Sequence, residues 1–339
     1  IKAVDDYADL MRISASSAGN DHRLGGNEAP PAIVSIFLGD ELTAVLHSIE
    51  NDMYFGKQEK VQLDIGAHVL PHFVKDSTDR NRTSPFAFTG NKFEFRMLGS
   101  TFNIACPNVM LNTAVAEELR QFAEELEAAA DFDKALAALV QREVTAHQRI
   151  IFNGNGYGEE WPAEAERRGL LNLHSTPDAL PHYTDKKNIR LFQNHGVYTE
   201  VEMRSRQEIG LEEYSKTIHI EALTSIDMLG KLILPAVLEY SGKLAENVAV
   251  KKSIGVNAPA ETAMVQTLTD KAAALADKKA ALETVLANVP ADTEAAAHYY
   301  HDSVIAAMDD ARAIADELEM MVGKKYWPFP TYGDLLFYV

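Results

Sequence analysis

Four short segments within the first 110 residues set charged side chains among glycines, prolines and aromatics. The first is Asn20-Asp21-His22-Arg23-Leu24-Gly25-Gly26-Asn27-Glu28-Ala29-Pro30-Pro31, in which a glycine pair and a proline pair bracket a loop with Arg23 on one side and Glu28 on the other. The second, Asp79-Arg80-Asn81-Arg82-Thr83-Ser84-Pro85-Phe86, is basic and rich in hydrogen-bond donors. The third, Lys92-Phe93-Glu94-Phe95-Arg96, alternates polar and apolar residues. The fourth, Ala105-Cys106-Pro107-Asn108, opens a helical pattern. Arg23, Arg82, Arg96 and Lys92 are the types that surround an anion with several oxygens, since a guanidinium grips carboxylate or phosphate with two parallel bonds. Glu94 between two cations reads as a structural ion pair or as a ligand for a hard metal, which takes one or two carboxylates plus phosphate oxygens. Glu28 on a glycine-flanked loop has the setting of a mobile acid/base or cation-attracting group. Ion pairs around a sheet would explain the same pattern.

Other chemistries are less well supplied. The sequence has no G-x-x-x-x-G-K-[ST] loop, no strand-to-helix G-x-G-x-x-G, no C-x-x-C and no H-E-x-x-H. The glycines of Asn153–Gly158 lack the Lys and Ser/Thr of a phosphate cradle and read better as a helix-ending loop. His298 and His301 share a helix face, but no third metal ligand stands near them.

The elements that must position these residues fall into two territories. In 1–110, Ile33–Gly39 and Val61–Ile65 read as strands, and Lys92–Arg96 as a strand with its charges on one face and its phenylalanines on the other. Val4, Ala8 and Met11 fall on one face of a helix already under way at the chain's start, with no cap before it, which suggests a piece of a longer chain. In 111–339 the pattern is helical: 111–150, with Leu119, Phe122 and Leu126 in helical spacing; a long helix or broken pair over 200–250; and 261–288, with Leu268, Leu275 and Leu282 at heptad spacing. Residues 294–322 repeat the stripe, and Gly323 with Lys324 and Lys325 ends it. The expected fold is therefore α+β, with 1–110 supplying antiparallel strands of a larger sheet-based domain and 111–339 a mostly helical region suited to oligomer contacts.

Composition bounds the function. The 339 residues are 46% hydrophobic and carry 32 basic against 50 acidic side chains, net −18. That is enough apolar material for real cores and argues against a mainly disordered chain or a non-specific nucleic-acid binder. The charge is uneven, net −4 over 1–110 and −14 beyond. No apolar run approaches the roughly 20 residues of a membrane span. A single cysteine, Cys106, fits a reducing cytoplasm.

Taken in order, the segments resemble glutamine synthetase, in its long type III form. Arg23-Leu-Gly-Gly-Asn-Glu28-Ala-Pro is similar to the family's arginine-to-glutamate flap, Asn81-Arg82-Thr-Ser to its Asn-Arg-Ser segment, and Lys92-Phe-Glu94-Phe-Arg96 to its basic-x-Glu-x-Arg strand. The closing Lys325-Tyr-Trp-Pro-Phe-Pro-Thr-Tyr-Gly-Asp334 belongs to the same type III resemblance. The resemblance implies ATP-dependent ligation of ammonium to glutamate through a γ-glutamyl phosphate, with Mg2+ or Mn2+. It assigns Arg23 and Arg96 to glutamate, Glu28 to flap closure and ammonium, Arg82 and Arg96 to the phosphoryl group, Lys92 to the nucleotide and Glu94 to the metal. It further implies a homo-oligomer of stacked rings, a dodecamer, in the cytoplasm, with no nucleic-acid or membrane partner. Ala87 stands where many members carry another arginine, and the family's small N-terminal β domain and most of its metal-binding glutamates have no counterpart in these residues. The segment by itself is therefore expected to be inactive. A guanidino kinase, a γ-glutamyl ligase using another amine, and a non-catalytic helical scaffold remain open alternatives.

Overall fold

The computed structural model describes residues 1–26, 29–53, 62–63, 73–74 and 83–337. Contacts divide the chain into two compact units, Ile1–Gly210 and Leu211–Val339. The change of composition near residue 110 falls inside the first.

In the first unit, α1 (Lys2–Asp6) and α2 (Ala8–Ser14) are separated at Tyr7, whose φ of −121° interrupts the helical run. Val4, Ala8 and Met11 are buried, as their spacing requires. The single turn α3 (Ala18–Asp21) is capped by Ser17, whose hydroxyl accepts from Asn20 N at 3.2 Å. There follow β1 (Ile36–Phe37), α4 (Gly39–Glu50), and β2 (Gln62–Leu63) paired antiparallel with β3 (Phe73–Val74). Of the strand expected over 61–65, only residues 62 and 63 are described. β4 (Phe86–Phe88) and β5 (Phe93–Phe95) form a hairpin, with Thr89 N donating to Lys92 O at 2.8 Å.

The expectation of antiparallel strands needs correction. β1 pairs with β4 in parallel, Ile36 opposite Phe86, so the sheet β1-β4-β5 is mixed. A parallel pair cannot be joined by a tight turn, and the chain between Phe37 and Phe86, which includes α4, provides the crossover. Residues 151–152 extend this edge: Ile151 bridges Ile36 in parallel, and Phe152 N donates to Ile36 O at 2.8 Å. Ile33 bridges Asn172 antiparallel.

The helical run expected over 111–150 is two helices, α5 (Ala105–Glu127) and α6 (Phe132–Ala146). Asp131 restarts it, its carboxylate accepting from Lys134 N at 3.1 Å. Leu119 is exposed; the buried face of α5 carries Met110, Ala114, Glu117 and Glu118 instead. Glu117 tolerates burial because Arg120, with Gln121 and His195, binds its carboxylate and holds its pKa down to about 2. Three short helices, α7 (Trp161–Arg167), α8 (Thr176–Ala179) and α9 (Lys186–Asn194), and 3-10 turns at Gln148–Ile150 and Leu180–Thr184 occupy the aromatic stretch before α10 (Glu200–Met228).

The second unit is a helical assembly. A π-helical turn, Leu229–Ile233, separates α10 from α11 (Leu234–Ser253), which resolves the expected long helix or broken pair. Pro235 at the start of α11 has no N–H to continue the ladder, and the wider turn before it absorbs the loss. α12 (Pro259–Leu286), α13 (Thr293–Tyr299), a second π turn at Tyr300–Val304, α14 (Ile305–Glu319) and α15 (Tyr332–Leu336) follow. The heptad stripe forms the core: Leu268, Ala272 and Leu275 meet Leu229, Ile233 and Val237 on one side and Ala311, Ala315 and Leu318 on the other. Tyr326, Trp327 and Phe329 of the closing segment pack against it. Among the described residues, no helix is long and apolar enough to cross a membrane.

Leu275 is fully buried at the centre of this core. Leu275→Ala should lower unfolding free energy by about 2–5 kcal/mol in urea denaturation. A loss under about 1 kcal/mol would show that the stripe does not form the core.

Candidate active site

Strand β5 gives the site its charged face. Period-two alternation sends Phe93 and Phe95 to one side, where they pack on Phe86 with ring centroids 5.6 and 5.7 Å away, and Phe93 also meets Phe88 at 5.2 Å. Glu94 and the flanking Lys92 and Arg96 take the other side. Arg96 Nη2 lies 3.0 Å and Nε 3.3 Å from Glu94 Oε2, while Lys92 Nζ stands 3.5 Å and Thr89 Oγ1 3.4 Å from Oε1. The Arg96 guanidinium, and beyond it the Lys92 ammonium, hold the Glu94 carboxyl below the ordinary carboxylate range.

Arg23 arrives from a distant part of the sequence. Its Nη1 donates to Met97 O at 3.1 Å and to Asn20 Oδ1 at 3.2 Å, and its Nη2 to Arg96 O at 3.3 Å. The fold therefore sets Arg23 against the backbone at the end of the strand that carries Lys92, Glu94 and Arg96. Just after Arg23, Gly25 adopts φ +77°, open to glycine at little cost, and its N–H donates to Pro30 O at 2.9 Å, closing the chain over 25–30. Glu28 lies outside the described residues, as does Arg82.

The residues after Arg82 are firmly held. Ser84 is buried and donates to Phe86 O at 2.9 Å, and Thr83 Oγ1 accepts from Gly156 N at 2.8 Å. A Cβ at Gly156 would stand 2.7 Å from Thr83 O and 3.4 Å from Pro31 Cδ, so only glycine lets the three segments approach. The glycine loop thus packs on the candidate segments. Nearby, Asn153 Oδ1 accepts from Leu38 N at 3.0 Å and Gly39 N at 3.1 Å. The fourth segment goes elsewhere: Cys106 Sγ is 4.0 Å from Tyr183 OH, and burial pushes its thiol pKa up.

Other groupings are already engaged. Asp5, Asp6 and His147 converge, as do Asp9, His182 and Asp185, at spacing a metal can use. Arg149 Nε binds Asp5 at 2.9 Å, and Lys187 Nζ binds Asp9 at 3.0 Å. His301 pairs with Asp302 at 2.7 Å. A cavity of about 570 Å³ between α4 and residues 148–153 is lined by His47, Glu50, Arg149 and Arg168 among others, and by none of the predicted site residues.

Sequence reasoning overlooked the residues that hold the site: Asn20, Gly156 and the pair Arg12–Asp21. Asn20 and Asp21 lie in the first segment, yet each also bonds far along the chain, to Met97 O and to Thr176, which leaves no local signal.

Residues 135–252 match the family description "Glutamine synthetase C-terminal domain", a stretch that begins after the candidate site residues. The whole chain aligns with longer proteins. A glutamine synthetase of Butyrivibrio fibrisolvens is 40% identical over 99% of this chain and 49% of its own length. A type-3 glutamine synthetase of Dictyostelium discoideum is 39% identical over 99% of this chain and 47% of its own. One from Bacteroides fragilis is 37% identical over 97% and 47% respectively. The chain is thus similar to glutamine synthetases along nearly its whole length, and residues 135–252 match their C-terminal domain. It spans about half the length of the curated relatives it matches. Its glutamine synthetase C-terminal domain match runs from α6 into α11 and so includes residues of both compact units.

The Glu94–Arg96 pair yields a measurable consequence. Because the folded-state pKa of Glu94 is depressed, the pair adds stability above the ordinary glutamate value of about 4.3, and that stability is lost as pH falls through the depressed value. In a carbon-13 NMR titration, Glu94 should titrate below the ordinary value in the wild type and close to it in Arg96→Gln. Ordinary titration in the wild type would contradict the pairing.

Proposed function

We propose that this chain serves glutamine synthesis, the ATP-dependent ligation of ammonium to glutamate through a γ-glutamyl phosphate, within a protein of its relatives' length. The observation that carries the reading is Arg23 bonded to the end of the strand on which Lys92 and Arg96 flank Glu94, in a chain 37–40% identical to proteins named glutamine synthetase. Arg23 and Arg96 would bind the glutamate carboxylates, and Arg82 and Arg96 the phosphoryl group in transfer. Lys92 would neutralise nucleotide phosphate charge. Glu28 would close over the intermediate, exclude water from the acyl phosphate and take a proton from ammonium. Phosphoryl transfer asks mainly for positioning and positive charge around the moving oxygens, and Arg96, held at the end of β5, would supply both.

Mg2+ or Mn2+ fits the residues described. Glu94 is ionised, its side chain is 33% exposed, and Lys92, itself 64% exposed, is a loose partner at 3.5 Å. One carboxylate completed by phosphate oxygens is a usual Mg2+ set. Such an ion, when bound, offsets phosphate charge. The helical region would provide contacts in a homo-oligomer of stacked rings, a dodecamer, working in the cytoplasm.

The test is glutamate- and ammonium-dependent ATP turnover by the full-length protein bearing this sequence, with and without divalent metal. Glu28→Ala should abolish most synthesis and leave ATP binding intact. Unchanged turnover in that variant would refute the role of Glu28, and a wild type that makes no glutamine would refute the reading itself.

A further inference from the structure

Asn20 is only 3% exposed, and its side-chain amide is bonded at both ends. Nδ2 donates to Ala15 O at 2.6 Å and to Met97 O at 2.9 Å, while Oδ1 accepts from Arg23 Nη1 at 3.2 Å. The partners dictate this orientation: two carbonyls need donors and a guanidinium needs an acceptor, so the flipped amide would oppose like groups throughout. The Met97 carbonyl receives both Asn20 and Arg23, using its two lone pairs. Gly99 lets the exit of the strand pass close by, since a Cβ there would stand 3.2 Å from Asn20 Oδ1.

We propose that Asn20 is a positioning residue of the site, a latch that fixes the Arg23 guanidinium against the end of β5 so that Arg23, Glu94 and Arg96 act as one unit. This rests on the reading of Arg23 as the glutamate-binding arginine. Without the latch, Arg23 keeps its bonds to Arg96 O and Met97 O but loses the acceptor that fixes its plane, and the Ala15 carbonyl loses its side-chain donor. Aspartate has the same shape and still accepts from Arg23, but it offers no donor, so Asn20→Asp sets a carboxylate against two carbonyls and offsets the Arg23 charge that glutamate would meet.

The experiment is steady-state kinetics of the full-length protein carrying Asn20→Asp or Asn20→Ala, beside Leu275→Ala as a destabilised control in the other unit. Both Asn20 variants should raise KM for glutamate at least about tenfold, since small misplacements of a binding group cost that much or more, and leave KM for ATP unchanged. Leu275→Ala should leave both constants unchanged. Combined with Arg23→Gln, Asn20→Ala should add no further loss, because it acts through Arg23. By NMR, independently of turnover, exchange of the Arg23 guanidinium protons should quicken in Asn20→Ala, which removes the acceptor, and not in Leu275→Ala. A wild-type glutamate KM in Asn20→Asp, an equal KM rise in Leu275→Ala, or full additivity with Arg23→Gln would overturn the proposal. If Asn20→Ala fails to fold, Asn20→Leu, which keeps the volume and lacks the acceptor, takes its place in the kinetic and NMR readouts. Absence of glutamine synthesis in the wild type would instead overturn the functional reading, and the NMR result would still judge the latch.

Discussion

A buried guanidinium holds the first unit together. Arg12 is 1% exposed and has a partner for each of its nitrogens: Leu173 O at 2.8 Å from Nε, Ser16 Oγ at 2.9 Å from Nη1, and Asp21 Oδ1 at 2.8 Å and His174 O at 3.2 Å from Nη2. Asp21 is completed in turn by Thr176, whose N and Oγ1 lie 2.6 and 3.0 Å from its carboxylate oxygens. Charges taken out of water need such full satisfaction, because stripping one partner from a buried pair costs about 3–5 kcal/mol. The geometric result matters more than the energy. Asp21 is pinned to residues 173–176, and Asn20 just before it and Arg23 two residues after it reach Arg96 and Met97. One chain of polar contacts therefore runs from the family-matched C-terminal domain to the candidate site.

Much of the local structure was legible, and the reason is periodicity. Lys92–Arg96 announces a strand because its two faces differ at every step, and 261–288 announces a core stripe because Leu268, Leu275 and Leu282 return every seven residues and are all buried. Leu119 misled because an apolar residue in helical spacing need not face the core when Glu117, on the buried side, is neutralised by its neighbours. The direction of the β1–β4 pairing depends on where the nearly fifty residues between Phe37 and Phe86 return the chain, and local alternation within them does not encode that. The site was legible in its charged residues and illegible in its supports. Asn20 with Met97, Thr83 with Gly156, and Arg12 with Leu173 are single contacts across 77, 73 and 161 residues, and no pattern in the sequence repeats them.

The electrostatics of the site run against those of the chain. In a protein of net charge −18, Lys92 and Arg96 flank Glu94 on one strand face, and the Arg23 guanidinium is bonded to the backbone at that strand's end. Glu94 does more than offset charge. It aligns Arg96 by taking both Nε and Nη2, which leaves the planar fork oriented by the protein before any ligand arrives.

Arg23 extends the same logic. An arginine waiting in solvent for an anion would lose side-chain freedom on binding, a cost of order 1–2 kcal/mol that weakens the complex. Here the Arg96 and Met97 carbonyls and Asn20 already impose that loss in the folded protein. The ordering belongs to folding, where it is offset by buried contacts such as those of Met97 and Ala15, both fully buried. Carbonyl oxygens also suit the purpose better than a second carboxylate would: they fix the guanidinium without neutralising it, so its full positive charge remains to be met by an anion.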